Sequence, residues 1–174
     1  KKIRIVSARG GNVIGGGDWS KDRIVPDFIK SIIKKNNLKI KNPNSTRPWV
    51  HVLEPLTGYL KLAYCLDKNM KLNGKSFNFG PRNKSNKKVL NIILEINKII
   101  KIGKWKFKKI NKDFIETKYL SLNTSFTKKM INWEANLKFK ERIRLTTEWY
   151  YAYIFKKKVI TVDQIKEFIK KYNI

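Results

Sequence analysis

The chain has 174 residues, 41% hydrophobic and 12% aromatic, which suffices for one domain with a buried core and argues against disorder. No apolar run approaches the ~18 residues of a membrane span, so no membrane partner is expected. Forty basic residues stand against 13 acidic ones, a formal net charge of +27. In chain order, Lys2 to Ser7 reads as a short strand, and Pro26 as the opening of a helix with Phe28, Ile29, Ile32 and Ile33 on one face. Leu38 to Lys41 reads as a brief strand and NPNSTRP as a turn. Glu54-Pro55 starts a helix lined on one side by Leu56, Leu60 and Ala63, with Tyr59, Leu62 and Leu66 beside them. SFNFGP reads as strand then turn, and Ser85 or Asn86 as the cap of a helix through Ile100. Strands are expected at Trp105 to Ile110 and Tyr119 to Leu122, and helices at Thr124 to Met130 and Glu141 to Phe155. Thr161 and Gln164 have capping-box spacing before a last helix. Alternating strands and helices, without repeat or linker, give an α/β or α+β class.

One cysteine, Cys65, excludes an internal disulfide and suits a reducing, cytoplasmic setting. The opening KKIRIVSARGG lacks the long apolar core of a signal peptide, and a first residue of Lys rather than Met leads us to expect a piece of a longer protein. The charge has two readings. One is nucleic-acid binding through counterion release. The other is compositional drift: 33 of the 40 basic residues are Lys, spread along the whole chain, and only 7 are Arg. A nucleic-acid face more often concentrates Arg and aromatics on one element, so drift is the favoured reading and nucleic acid is not the expected partner. Anionic small ligands are attracted either way.

The stretch RGGNVIGGGDW, Arg9 to Trp19, follows the first strand and invites a phosphate-loop reading. Its spacing rejects the standard forms. No register supplies G-x-G-x-x-G, and Gly17 stands where a P-loop needs Lys. Asp18, beside the run, would repel phosphate. The remaining alternative from chemistry alone is a flexible connection after a strand. No Asp/Ser triad partner or metal-ligand partner stands at motif spacing from His51, the single histidine.

Taken together, ARGGNVIGGGDW, DRIVPD, RPWVHVLEPLTGYL and FNFGP resemble the C-terminal half of the CDP-glucose 4,6-dehydratases. These are extended short-chain dehydrogenases/reductases that act on nucleotide sugars. IETKYLSLNTSFTKKMINW, TTEWYYAY and TVDQIKEFI extend the resemblance over essentially the whole chain. It implies an α/β fold: the C-terminal portion of an extended Rossmann-type enzyme, with residues 1–16 as the last core strand and loop. Residues 17–174 would be a small mixed α/β substrate-binding domain. It implies CDP-glucose as substrate, NAD as cofactor, and a homo-oligomer for the full-length enzyme. In such enzymes NAD oxidises carbon 4 of the glucose, water leaves across carbons 5 and 6, and hydride returns to carbon 6. The product is a precursor of deoxysugars in bacterial surface polysaccharide. The family's glycine fingerprint for NAD and its catalytic Tyr-x-x-x-Lys have no counterpart here, so no catalytic or cofactor-binding residue is assigned, and the chain alone is expected to be inactive.

The resemblance also nominates substrate-binding residues. Asn12 would reach the sugar-diphosphate; otherwise it is a turn Asn. Arg47 would fork onto two phosphate oxygens. Arg23 would touch diphosphate or base; its alternative is an ion pair with Asp22 or Asp18. Lys39, Ile40 and Lys41 lie on the segment whose backbone reads the pyrimidine. His51 would bond a ligand hydroxyl or tie its strand to its neighbours, and Asn78 would approach the ligand or serve a turn. Asp18 and Trp19 are expected to shape the loop. Two departures stand out: Ile115 precedes Glu116 where the family has His, and Asn123 stands where it has a capping Asp. Other nucleotide-sugar epimerases and dehydratases remain the alternative assignment.

Overall fold

The computed structural model describes residues 3–82, 85–108 and 117–173. The opening strand does not sit on the apolar residues Ile3 and Ile5. It runs as β1, Ser7–Gly10, and resumes after Gly11 as β2, Asn12–Ile14. There follow α1 (Ile24–Ile33), β3 (Leu38–Ile40), β4 (Thr46–Arg47), β5 (Trp49–His51), α2 (Leu53–Lys68) and a 3-10 turn at Met70–Leu72. The rest comprises β6 (Ser76–Phe79), β7 (Lys87–Lys88), α3 (Val89–Ile100), β8 (Trp105–Phe107), α4 (Ser125–Ile131), α5 (Phe139–Phe155) and α6 (Thr161–Tyr172).

The strand position follows from its partners. β1 pairs in parallel with β6, Ser7 opposite Ser76 and Gly10 opposite Phe79. β2 pairs in parallel with β5, Asn12 opposite Trp49 and Ile14 opposite His51. Gly11 is the handover: its N–H donates to Phe79 O at 2.8 Å, and the next N–H, of Asn12, donates to Pro48 O at 3.0 Å. A Cβ at residue 11 would lie 2.4 Å from Pro48 O, so no other residue fits there. At Gly16 a Cβ would lie 2.0 Å from Trp149 Cγ. The glycine stretch is therefore a strand that changes partners and then a turn packed against an indole, not a flexible connection. β3 pairs in parallel with β8, and β4 antiparallel with β7.

Other sequence expectations shift for similar reasons. NPNSTRP is only partly a turn, because Thr46 and Arg47 find β7. Tyr119 to Leu122 forms no strand; Tyr119 makes a single bridge to Thr46. Neither Ser85 nor Asn86 caps α3: the helix starts after Lys88, whose N–H donates to Asn91 Oδ1 at 3.1 Å. Thr161 and Gln164 do not box α6. They dock it on α5, Thr161 Oγ1 accepting from Trp149 Nε1 at 2.7 Å and Gln164 Nε2 donating to Leu145 O at 2.8 Å. Asn123 Oδ1 accepts from Ser125 N–H at the start of α4, as a capping amide can. α1 begins at Ile24, which puts Pro26 within its first turn, where a missing N–H costs nothing; Phe28, Ile29 and Ile32 are buried but Ile33 is exposed. Ile110, Ile115 and Glu116 lie outside the described residues.

Among the described residues three apolar clusters are buried, the smallest of them Leu137, Leu145 and Phe168; the other two form the main core. Phe28 and Ile29 of α1, Ile93 and Ile96 of α3, and Ile143 and Tyr150 of α5 make one. Leu62 of α2, Phe77 and Phe79 of β6, and Trp133 make the other. The expected apolar face of α2 faces out: Leu60 is 74% exposed and Leu56 is exposed too, while Leu62 and Leu66 are buried. The helix is thus apolar on two sides. Glu54 in its first turn is 1% exposed and meets the 3% exposed Arg142 of α5. Arg142 Nε donates to Glu54 Oε2 at 2.7 Å and its second nitrogen to Oε1 at 3.1 Å. The N–H groups of His51 and Leu137 fill the remaining lone pairs, at 3.1 and 2.9 Å. Replacing Glu54 by Gln leaves the guanidinium charge buried and uncompensated. Glu54→Gln should destabilise the fold by about 3–5 kcal/mol, read from the urea midpoint.

Candidate functional site

A cavity of about 630 Å³ opens beside the handover strand, within the ~300–1,000 Å³ range of small-molecule sites. Its wall is built by β2 and the turn after it, the N-terminus of α1, β3 with Lys41 and Asn42, Arg47, Trp49, and Val89 at the start of α3. These segments meet because β2 lies on β5 and α1 packs on β3 and α3. Trp49 fixes the β5 side, its Nε1 donating to Lys87 O at 2.9 Å.

Six of the eight residues nominated from sequence line this one cavity: Asn12, Arg23, Lys39, Ile40, Lys41 and Arg47. Asn12 is half-buried at the start of β2. Arg47 is buried on β4, with one guanidinium nitrogen donating to Thr46 O at 2.9 Å, so its planar group is held in place. Arg23 is exposed and donates to Asp18 Oδ2 at 3.1 Å, which selects Asp18 over Asp22 as its partner. Burial raises the Asp18 carboxyl, but the Ser20 N–H and the Arg23 guanidinium outweigh it and hold Asp18 below the ordinary carboxylate value. Tyr150 of α5 donates to Asp18 O at 2.6 Å and so anchors the same turn. Trp19 stacks edge-on against Tyr150. The side chain of Ile40 is buried in the core and its C=O accepts from Lys108 N–H of the β8 ladder at 2.8 Å, so Ile40 turns neither its side chain nor its carbonyl to a ligand.

The other two nominees lie off the cavity wall. Asn78 Nδ2 donates to Asn123 O at 2.9 Å, and its backbone C=O and N–H both engage Thr127 Oγ1. His51 is buried on β5, opposite Ile14. Its Nδ1 accepts from Leu53 N–H at 3.4 Å, and its Nε2 has no partner among the described residues. Sequence reasoning missed Trp49, Asp22, Asp27 and Val89 as wall residues. Asp22 and Asp27 could have been found from their position flanking Arg23 and Pro26 in DRIVPD; Val89 carried no signal. Among the described residues no group of His, Cys, Asp and Glu could hold a metal ion, and no helix is long and apolar enough to cross a membrane.

No family model matches the chain. Over 156 residues it is 35% identical to CDP-glucose 4,6-dehydratase of Salmonella typhimurium, covering 87% of this chain and 42% of that protein. The chain is a homologue of CDP-glucose 4,6-dehydratase. It spans less than half the length of that dehydratase. Solved structures agree on the fold. UDP-glucose-4-epimerase from Stenotrophomonas maltophila, with bound NAD and formylated UDP-arabinopyranose, superposes with a TM-score of 0.73 at 12% identity, over 87% of this chain and 49% of its own. An epimerase from Methanothermobacter thermautotrophicus gives 0.74 at 19% identity, over 90% and 46%. dTDP-glucose 4,6-dehydratase from Bacillus anthracis, in complex with NAD, gives 0.66 at 15% identity, over 87% and 45%. The fold of this dehydratase homologue is therefore α/β of the Rossmann-type epimerase/dehydratase kind.

The neighbours' NAD invites a test of fit on the glycine turn. No helix starts on that turn, since α1 begins only at Ile24. Trp149 fills its inner side, and Asp18 adds a carboxylate. These residues do not fit a dinucleotide's pyrophosphate.

His51, off the cavity wall, offers a test of the packing between β5 and α5. Burial first, and the Arg142 guanidinium second, push its pKa from 6.5 down to about 4. Between those values the unfolded chain binds the proton and the folded chain does not, so stability falls as pH drops through this window. From pH 7 to pH 4 this one group should remove roughly 3 kcal/mol of unfolding free energy. A His51→Gln variant should show a shallower slope there in chemical denaturation. Glu54, which faces the same cluster, is present in both proteins and cancels in the comparison.

Proposed function

We propose that the chain is the nucleotide-sugar-binding half of a CDP-glucose 4,6-dehydratase. One observation carries this reading: a single cavity gathers Asn12, Arg23, Arg47 and the β3 segment, the residues that the family resemblance assigns to a sugar nucleotide. On this reading the buried Arg47 fork takes two diphosphate oxygens, with geometry that a lysine cannot copy. Arg23 sits at the rim, able to exchange Asp18 for phosphate. The Asn12 amide can donate to phosphate and accept from a sugar hydroxyl. Lys39 and Lys41 add positive potential, and the backbone of β3 meets the base.

NAD, when bound to the whole enzyme, would supply the oxidation at carbon 4 and the returning hydride. The glycine turn does not fit it, so NAD and the Tyr-x-x-x-Lys pair would belong to a nucleotide-binding half, whose sheet β1 and β2 would continue. The chain alone is then a binder without turnover. Its own task is to hold the nucleotide firmly, so that remote binding energy positions the glucose for chemistry.

Calorimetric titration with CDP-glucose tests the reading against the charge. A saturable CDP-glucose isotherm supports it. Binding only to single-stranded DNA, with a steep salt slope, would replace it with a nucleic-acid function. Arg47→Ala should weaken CDP-glucose by about 1.5–3 kcal/mol, the range for a charged hydrogen bond, and Arg47→Lys should fall between the two. An unchanged affinity in Arg47→Ala would remove Arg47 from the site.

A further inference from the structure

The acidic side of the cavity has no role in holding a diphosphate. Only 13 acidic residues stand against 40 basic ones, yet Asp18, Asp22 and Asp27 all line this wall. Asp18 is committed to Arg23 and Ser20. Asp22 is exposed in a left-handed turn, φ 59°. Asp27 differs. It lies in the first turn of α1, immediately after the buried Pro26, and is half-buried.

Among the described residues the partners of Asp27 are few. The Asp22 backbone N–H favours the charged form of Asp27. Lys30 Nζ is 3.9 Å away, beyond hydrogen-bond reach, and donates instead to Ser20 O at 3.1 Å. Lys41, just past β3, faces it through space. A carboxylate offers about four lone-pair sites, so most of its capacity remains for a ligand. Burial, the largest influence on it, raises its pKa; this is the desolvation cost of a carboxylate with too few donors.

The ligand part that would meet it follows from β3. In the parallel ladder with β8, Leu38 N–H donates to Lys104 O and Ile40 O accepts from Lys108 N–H. Alternation then turns the N–H and C=O of Lys39 to the opposite edge. A planar base lying against that edge meets one donor and one acceptor. α1 packs on β3, and Asp27 and Lys39 line the same cavity.

We propose that Asp27 selects the nucleobase, accepting a hydrogen bond from the exocyclic amine of cytosine and rejecting uracil and thymine. This rests on the nucleotide-sugar reading of the cavity. A carboxylate can only accept. Cytosine presents an N–H donor at carbon 4, where uracil and thymine present a carbonyl oxygen that a carboxylate repels. Sites built around such a bond discriminate strongly, because the wrong ligand leaves a buried polar group unpaired.

The test compares CDP-glucose, UDP-glucose and dTDP-glucose by calorimetry on the 174-residue protein and on Asp27→Asn and Asp27→Leu. The wild type should prefer CDP-glucose to UDP-glucose by at least about tenfold, the size of one charged hydrogen bond. In Asp27→Asn the preference should fall to about twofold, since an amide presents either oxygen to an amine or nitrogen to a carbonyl. Its affinity for UDP-glucose should rise, a gain that misfolding cannot produce. The same preference in Asp27→Asn as in the wild type overturns the proposal, as does an equal loss of all three ligands. Wild-type binding without base preference overturns it while leaving the cavity reading intact. No binding of any nucleotide sugar overturns both.

Discussion

A buried carboxylate with four hydrogen bonds ties α2, which packs in one of the two larger apolar clusters, to α5, which packs in the other. Glu54 sits where β5 turns into α2 and accepts from His51, Leu137 and twice from Arg142. Two charges removed from water are costly, and only such complete satisfaction makes the arrangement tolerable. Because Arg142 lies near the start of α5, the pair also sets where that helix runs. Trp149 and Tyr150, two turns further on, then reach the turn after β2. Burial keeps His51 neutral, and the Arg142 guanidinium beside it adds to that preference.

The cavity's chemistry is organised by sign. Arg47, buried and fixed by Thr46, forms a rigid cationic point, while Arg23 at the rim is held by Asp18 in a pair that a stronger anion can replace. The +27 net charge adds a long-range pull on any anion but says little about which one. Selectivity has to come from buried, directional groups. Among the described residues of the wall these are few, Arg47 foremost.

Much of this was legible in the sequence because it depended on local grammar. The periodicity of Phe28, Ile29 and Ile32 gave the buried face of α1, and RPW with GNV marked two walls of the cavity. What was not legible depended on distant partners. The first strand falls on Ser7–Gly10 rather than on the more apolar residues before it because β6 is there to pair with. Leu56 and Leu60 carry the same helical periodicity as Leu62 and Leu66, and periodicity cannot tell which side meets Trp133 and Phe79. Thr161 and Gln164 have the spacing of a cap, but Trp149 and Leu145 offer them better partners. His51 and Asn78 share a similar lesson: their motifs border the cavity, while their own side chains serve backbone contacts beneath it.

The turn that forms the cavity's rim is finished by residues far away in the chain. Asp18 O waits for Tyr150, 132 positions later, and Glu54 waits for Arg142, 88 positions later. Contacts of such separation close late, after the loop entropy between them has been overcome. On a ribosome, β2, α1 and β3 emerge well before α5, so the cavity's walls exist as chain before they exist as a cavity. Binding competence therefore arrives near the end of synthesis, and a change in α5, which lines no part of the cavity, acts on the ligand through the timing and firmness of that last closure.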